Sequence, residues 1–229
     1  MGKNIMVIST HPGAGKTTIT VNLAAGLVQK GYNVLIWVIG SNKLINKWLR
    51  IDTGTQSEPY IQKTHTGINV FGNNNNTPSF SLSEANKIFK NHDYLLMDIN
   101  EDRPEYIKLT VELADYSIAC TDLFPVDEPA LLALLDNKLQ KQSRKKLGIN
   151  LIVPCKINAK EWDHNTTQLF NIAERMGYEK MADLIPHCEA IHDLPLDGKT
   201  VWELPGQYQN RKNAFDRLLE RVEQDLQGL

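Results

Sequence analysis

The residues best suited to chemistry form a short run near the amino terminus, in which spaced glycines precede a lysine and threonines: Gly13, Ala14, Gly15, Lys16, Thr17 and Thr18. Glycines allow the backbone to curl until consecutive amides point inward at one anion. The Lys16 ammonium would reach the β- and γ-phosphates of a nucleotide, and the Thr17 hydroxyl would take one coordination position of Mg²⁺. The run therefore predicts a phosphate-binding loop, although Thr10 stands where the usual pattern G-x-x-x-x-G-K-[ST] has its first glycine.

The elements on either side of this run are those that a phosphate-binding loop requires. Residues 5–8 predict a short buried strand, and residues 18–28 carry apolar side chains at helical spacing. A helix that begins directly after the loop presents its positive end to the bound anion. A glycine-rich turn without a ligand would also join a strand to a helix. The lysine, the threonine and both flanking elements together favour nucleotide binding.

A second candidate residue is Asp98, which follows an apolar run within residues 93–100, a segment that repeats the pattern of a strand followed by an acid. A carboxylate at the carboxyl end of a strand beside the loop can reach Mg²⁺ through water, whereas on its own it would be an ordinary turn residue. Given the loop upstream, we interpret Thr17 and Asp98 as the magnesium residues. Glu101 and Asp102, a few residues further on, are candidates for positioning an attacking water molecule.

The rest of the chain alternates apolar runs with amphipathic segments, which is typical of parallel strands joined by helices. We predict an α/β fold with one doubly wound, mainly parallel sheet between two helical layers, as one domain over residues 1–229. A mobile loop is expected over 52–66, a core helix around 130–135, and an inward-facing Leu44. Further strands are expected at 34–39, 68–71, 116–120 and 149–153, and further helices at 41–49, 81–90, 104–115, 159–176 and 213–226.

Composition is that of an ordinary globular protein. The chain has 229 residues and a net charge of −2, so no overall attraction to nucleic acid is expected. Cys120, Cys155 and Cys188 have no metal-ligand spacing and are expected to be reduced thiols. No run approaches the ~18 apolar residues of a membrane span, and no leader segment is recognised. A cytoplasmic protein without a membrane span is therefore expected.

The glycine-rich run resembles the deviant phosphate loop K-G-G-x-G-K-T of the ParA/MinD family of ATPases, through Pro12-Gly13-Ala14-Gly15-Lys16-Thr17. The resemblance implies ATP and Mg²⁺ as cofactors, Lys16 as the catalytic lysine, and phosphate contacts along residues 11–18. It also implies a homodimer that forms on ATP binding. The family's signature lysine, which contacts phosphates across that dimer, falls on His11, a shorter side chain that is mostly neutral at pH 7.

Two further stretches are similar to the family and refine the expectation. Where the family has D-x-D after its second strand, with a first Asp that orients the attacking water, this chain has Val38 and Gly40. A slow ATPase is therefore expected. Ile185-Pro186 is similar to the family's I-P pair, whose following backbone contacts adenine, so Pro186 and His187 are assigned to the base.

Among its subgroups, the chain looks most like the small plasmid stability and conjugation proteins of the StbB/TraL kind. This implies a role in plasmid maintenance, partition or conjugation through nucleotide-dependent dimerisation and a protein partner such as a DNA-binding adaptor, with direct DNA contact left open. One alternative is a nucleotide-gated adaptor without hydrolysis. Another is a small-molecule kinase or synthetase, such as a dethiobiotin-synthetase relative, for which the sequence offers no acceptor site.

Overall fold

A computed structural model of the chain describes residues 2–40, 43–51, 60–72, 82–99, 104–124 and 127–228. Its strands form one seven-stranded sheet in the order β3-β4-β2-β5-β1-β6-β7. All neighbouring strands pair in parallel except β3 and β4, which pair antiparallel at one edge. The strands are β1 Lys3–Ser9, β2 Val34–Ile39, β3 Tyr60–Lys63, β4 Asn69–Gly72, β5 Tyr94–Ile99, β6 Tyr116–Thr121 and β7 Leu151–Pro154.

Helices follow most of the strands and cover both faces of the sheet. Short 3₁₀ turns at 159–161, 178–180, 201–203 and 206–208 complete the connections. The predicted α/β fold with a doubly wound, mainly parallel sheet is confirmed. The helices are α1 Lys16–Gln29, α2 Lys43–Trp48, α3 Leu82–Phe89, α4 Pro104–Leu113, α5 Glu128–Gln142, α6 Trp162–Met176, α7 Glu189–Asp197 and α8 Gln209–Gln227.

The apolar side chains of the strands alternate between two separate cores, because successive residues of a strand point to opposite faces of the sheet. Ile5 and Val7 of β1 pack with α1, α2, α7 and α8, whereas Met6 and Ile8 pack with α3, α4, α5 and α6. Burial on both faces explains why the central strands are continuous apolar runs in the sequence.

The chain leaves β1 toward β2 on one side of the sheet and leaves β6 toward β7 on the other. This reversal between adjacent parallel strands opens a crevice beyond their carboxyl ends, which is where open α/β sheets bind ligands. The loop after Ser9, the carboxyl end of β5 at Asp98, and Cys155 after β7 all lie at this edge. The sheet therefore brings together residues that are far apart in the sequence.

Two local predictions were wrong. Residues 60–63, expected within a mobile loop, form β3, because they pair with β4 along the open sheet edge. Leu44 is 47% exposed rather than inward, since the short helix α2 packs through Ile45 and Trp48. Helix α5 packs against one core through Leu132 and Leu139, as expected, but it buries one face only and leaves Leu134 66% exposed. Glu101 and Asp102 lie outside the described residues.

None of the helices in the described ranges is both long enough and apolar enough to cross a membrane.

Candidate nucleotide-binding site

The loop between β1 and α1 has the backbone geometry of an anion-binding turn. Gly13 and Gly15 have φ values of 88° and 102°, a region that side chains make unfavourable for other residues. Gly15 is the residue before α1 and offers no side chain to cap the helix. The amides of the first turn of α1 are thus available to a ligand, and the helix dipole favours an anion there.

Lys16 is held over this loop by a short chain of hydrogen bonds. Its Nζ donates to Ser9 Oγ at 3.0 Å, and Ser9 Oγ donates to the carbonyl oxygen of His11 at 2.6 Å. The lysine begins α1 and the serine ends β1, so both ends of the loop fix the ammonium. A cation in this position can neutralise charge on a phosphate that rests on the loop.

Thr17 and Asp98 contact each other directly at the foot of the loop. Thr17 Oγ1 donates to Asp98 Oδ2 at 2.9 Å, and the carboxylate is completely buried near the end of β5. Oxygen ligands of this kind suit Mg²⁺, which commonly binds through one or two carboxylates, waters and substrate phosphates. Within the described residues no group of three or more His, Cys, Asp or Glu gathers elsewhere as a metal site. The pair therefore fits a magnesium ion that also needs phosphate oxygens.

A cavity of about 620 Å³ opens beside the loop and is large enough for a nucleoside. Gly13, Gly15 and Lys16 line it, together with the two residues assigned to the base, Pro186 and His187. Its walls are mainly apolar, and among the described residues that line it there is no Asp or Glu. The structure thus brings the predicted phosphate and base residues to one cavity.

Helix α7 forms the outer wall of this cavity through Ile191, Pro195 and Leu196. Three side chains from the far side hold its carboxyl end in place. The last carbonyl oxygens of α7 and its cap, at residues 197–199, are contacted by Arg50 Nη2 at 3.0 Å, His65 Nε2 at 2.6 Å and Trp48 Nε1 at 2.7 Å. These bonds satisfy carbonyls that a helix end leaves unpaired.

His11 is not among the described residues that line the nucleoside cavity. It lines a separate cavity of about 460 Å³ together with Ser9, Thr10 and Lys16. Its Nε2 is 3.0 Å from Asp122 Oδ1, at ion-pair distance but off the line of a hydrogen bond. The assignment of His11 to phosphate binding stays a prediction, because its ring faces the carboxylate at the end of β6 in this conformation.

Thr10, which replaces the first glycine of the usual pattern, has a visible structural role. Its Oγ1 lies 2.9 Å and 2.7 Å from the two carboxylate oxygens of Glu128, and the hydroxyl donates to this fully buried group. Glu128 is the first residue of α5, where a negative charge is favoured by the helix dipole. The hydroxyl thus ties the loop to α5, a bond that glycine could not make.

The residue aligned with the family's water-orienting Asp is an apolar one. Val38 pairs in register with Asp98 across β2 and β5, so it stands beside the predicted magnesium residue. Gly40 follows the strand with φ of 88° and has no side chain to supply a carboxylate. The end of β2 therefore contributes no acid at these two positions.

Sequence reasoning missed Cys155 and Lys156, which follow β7 and line the nucleoside cavity. A Cβ added at Gly15 would lie 3.0 Å from Cys155 Cβ and 3.1 Å from Cys155 Sγ, so this cysteine fills the space behind the loop. Lys156 Nζ donates to the carbonyl oxygen of Gly13. The available signal was their place directly after a parallel strand, at the same sheet edge as the loop.

All three cysteines are free thiols, as expected. Burial raises the pKa of the Cys120 thiol well above its usual range, and a hydrogen bond with Cys155 acts in the same direction. Cys120 therefore stays protonated and behaves as a core side chain.

Several solved structures share this fold across nearly the whole chain. Apo McdA of Cyanothece superposes with a TM-score of 0.78 at 15% identity, over 97% of this chain and 100% of that chain. The cell division ATPase MinD of Pyrococcus furiosus gives a TM-score of 0.75 at 18% identity, over 98% and 99%. A plasmid partition protein of Borrelia burgdorferi B31, bound to AMPPNP, gives 0.74 at 17% identity, over 96% and 100%.

The comparison with curated proteins found no match. The family described as the CobQ/CobB/MinD/ParA nucleotide binding domain matches residues 5–201, which include the phosphate loop, Asp98 and the cavity wall. At identities below 20% the solved structures establish the fold, and the sequence match establishes the family. The chain is a member of the CobQ/CobB/MinD/ParA nucleotide-binding family.

Proposed function

We propose that this protein binds ATP and Mg²⁺ and acts as a nucleotide-dependent switch, which dimerises when ATP is bound and then engages a protein partner. The observation that carries the proposal is the contact between Thr17 and Asp98 beneath the loop that holds Lys16. Together these side chains offer a cation for phosphate and two oxygens for a hard divalent ion. Mg²⁺ bound there would offset charge on the β- and γ-phosphates.

In this proposal the loop binds one part of the nucleotide and the apolar cavity binds the other. Phosphates rest on the amides of residues 13–18, and the base lies against Pro186 and His187. We assign Lys16 as the catalytic lysine, because its ammonium is held at the start of α1, where the terminal phosphates would lie. The absence of a carboxylate at Val38 and Gly40 makes hydrolysis weak, since an unpositioned water attacks slowly.

The cellular role that we propose is plasmid maintenance, partition or conjugation. Support comes from the fold shared with a plasmid partition protein, and with a MinD that was solved as a MinC:MinD complex. In such a role the ATP-bound dimer would present a surface to a partner such as a DNA-binding adaptor. The protein would cycle between dimer and monomer at the slow rate of nucleotide turnover.

Calorimetry with Mg·ATP and light scattering after size exclusion test the proposal together. Wild-type protein should bind ATP and double its mass in its presence, and Lys16→Ala should lose both properties. Lys199→Ala is the matched control, because Lys199 stands in a second Gly-Lys-Thr sequence but pairs with Asp197 at 3.3 Å on the surface. A folded wild-type protein that takes up neither ATP nor GTP would refute the proposal.

An adaptor that binds ATP without hydrolysing it is the second candidate, favoured by Val38 beside Asp98. Single-turnover phosphate release separates the two functions. A slow release that Lys16→Ala abolishes supports the switch with turnover. Tight binding without release over many hours supports the adaptor.

A further inference from the structure

Lys156 is a charged residue of the nucleoside cavity for which the family resemblance gives no role. It follows β7 and is exposed, yet its Nζ reaches across to the carbonyl oxygen of Gly13 in the phosphate loop. The two residues are 143 positions apart in the sequence. Lysine side chains are flexible and strongly hydrated, and here the Gly13 carbonyl oxygen fixes the position of the ammonium.

The backbone around Lys156 is fixed from both sides. Lys156 has φ of 58°, a left-handed conformation that is uncommon for a residue with a side chain and that concentrates at functional sites. On one side Cys155 N donates to Thr121 O at 2.6 Å, and on the other Ile157 N donates to Ile185 O at 3.1 Å. The surrounding sheet edge therefore imposes this conformation.

The same connection continues to the residues assigned to the base. His187 N donates to Ile157 O at 2.9 Å, and Ile157 forms a parallel bridge with Pro186. Two hydrogen bonds and the peptide bond between Lys156 and Ile157 thus connect Gly13 of the phosphate loop to His187 in the cavity lining. Lys156 supplies the side chain of that connection.

Electrostatics give Lys156 a direct part in ligand binding. Among the described residues that line the 620 Å³ cavity, Lys16 and Lys156 carry positive charge, and none carries a carboxylate. An ammonium has three donors, of which Gly13 accepts one. A polyphosphate on the loop would therefore have a second cation in the same cavity, while His11, which lines the other cavity, lies 3.0 Å from Asp122.

We propose that Lys156 is a nucleotide-binding residue that holds the phosphate loop through Gly13 and supplies the second cation of the site from within the same chain. This inference rests on the proposed function, because it names a further residue of that ATP site. It implies that one copy of the chain carries the cations for binding ATP, before any second copy arrives.

The test compares Mg·ATP affinity of wild type, Lys156→Met, Lys156→Arg and Lys160→Met by calorimetry. Met keeps most of the aliphatic stem but removes the positive charge and the hydrogen-bond donors. Arg keeps the charge and the donors. Lys160 is the matched control, since it is exposed, close by in sequence and absent from the lining of both cavities. Thermal melting of each nucleotide-free variant checks that it is folded.

Lys156→Met should weaken ATP binding about tenfold, because a charge-assisted hydrogen bond and a cation are lost. Lys156→Arg should recover most of the affinity, and the salt dependence of binding should be shallower in Lys156→Met than in wild type. Without nucleotide, the loop amides should exchange with deuterium faster in Lys156→Met than in Lys160→Met.

Wild-type binding separates the two levels of failure. If wild type binds ATP and Lys156→Met binds within about twofold of it, the inference on Lys156 is overturned and the proposed function stands. If Lys156→Arg is as weak as Lys156→Met in a folded protein, the proposed charge contribution is overturned. If wild type itself binds no nucleotide, the proposed function and this inference both fall.

Discussion

Thr17 Oγ1 donates a hydrogen bond of 2.9 Å to Asp98 Oδ2, joining the first turn of α1 to the carboxyl end of β5. The two residues are 81 positions apart, and the parallel pairing of β1 with β5 brings them together. The contact therefore results from the order of the strands in the sheet. It places a hydroxyl and a buried carboxylate side by side, and together they form an oxygen-rich corner of the site.

The first prediction concerns magnesium at this corner. Asp98→Asn and Thr17→Val should each reduce the Mg²⁺ affinity of the ATP complex by about 10- to 100-fold. The first variant replaces the charged carboxylate by a neutral amide, and the second removes the hydroxyl ligand. Calorimetric titration of ATP at stepwise Mg²⁺ concentrations measures the effect. Asp93→Asn is the control, since Asp93 precedes the same strand at its opposite end. An unchanged Mg²⁺ dependence in Asp98→Asn would remove this carboxylate from the metal site.

The second prediction separates backbone strain from crowding in the loop. Gly13 and Gly15 both have positive φ, but only Gly15 has neighbours within 4 Å of an added Cβ, namely Cys155. Gly13→Ala should lower the free energy of unfolding by about 1–2 kcal/mol through strain alone. Gly15→Ala should lower it by about 3 kcal/mol, since steric overlap is added to the strain. Urea unfolding without nucleotide measures both, and equal losses would contradict the packing of Cys155 against the loop.

The third prediction concerns Asn22, a completely buried polar residue in the middle of α1. Its Oδ1 accepts the Val201 N–H at 2.7 Å, and its backbone oxygen accepts the Trp202 Nε1–H at 3.0 Å. Asn22→Ala should lower the free energy of unfolding by about 2 kcal/mol, because a buried N–H loses its acceptor. Asn137→Ala, on the exposed face of α5, should change it by less than about 0.5 kcal/mol. Similar effects of the two substitutions in urea unfolding would argue against this link.

The fourth prediction is a pH dependence set by Tyr116. Burial raises the pKa of its phenol far above 10, and the hydrogen bond that it donates to Asp225 acts in the same direction. The folded state thus favours the protonated phenol, so this stabilisation is complete below pH 10 and declines as pH rises above that value. Tyr116→Phe should lower the free energy of unfolding by about 1 kcal/mol at pH 8. The difference in unfolding free energy between wild type and variant should shrink above pH 10. Asp225 keeps its bonds to Arg221 at 2.9 Å and 3.0 Å in the variant.

Unfolding by urea at a series of pH values from 8 to 11 measures that difference. Tyr178→Phe serves as the control, because Tyr178 is 60% exposed. A gap between wild type and Tyr116→Phe that stays constant to pH 11 would contradict the assignment.

The sequence was sufficient for those features that depend on local patterns. The apolar run before Ser9 and the glycines before Lys16 predicted β1, the loop and α1, because strand, loop and helix signals agreed there. The alternation of strands and helices predicted the doubly wound sheet. Asp98 was identified because it lies near the carboxyl end of a strand, and the phosphate loop also follows the carboxyl end of a strand.

Features that depend on contacts across the fold could not be read from the sequence. Residues 60–63 are polar enough to suggest a loop, and they become a strand only because β4 offers a free edge. The contact of Lys156 with Gly13 depends on the place of β7 in the sheet, which no local pattern records. The apolar run 130–135 could not reveal which face of α5 would be covered.

Hydrogen bonds from Trp48, Arg50 and His65 connect the carboxyl end of α7, and with it one wall of the cavity, to the rest of the molecule. Trp48 belongs to α2 and His65 to the turn before β4, so α7 is anchored to two elements outside the phosphate loop. A base that presses on α7 would push these anchors as well. Occupancy of the cavity would then be transmitted to the β4 side of the sheet.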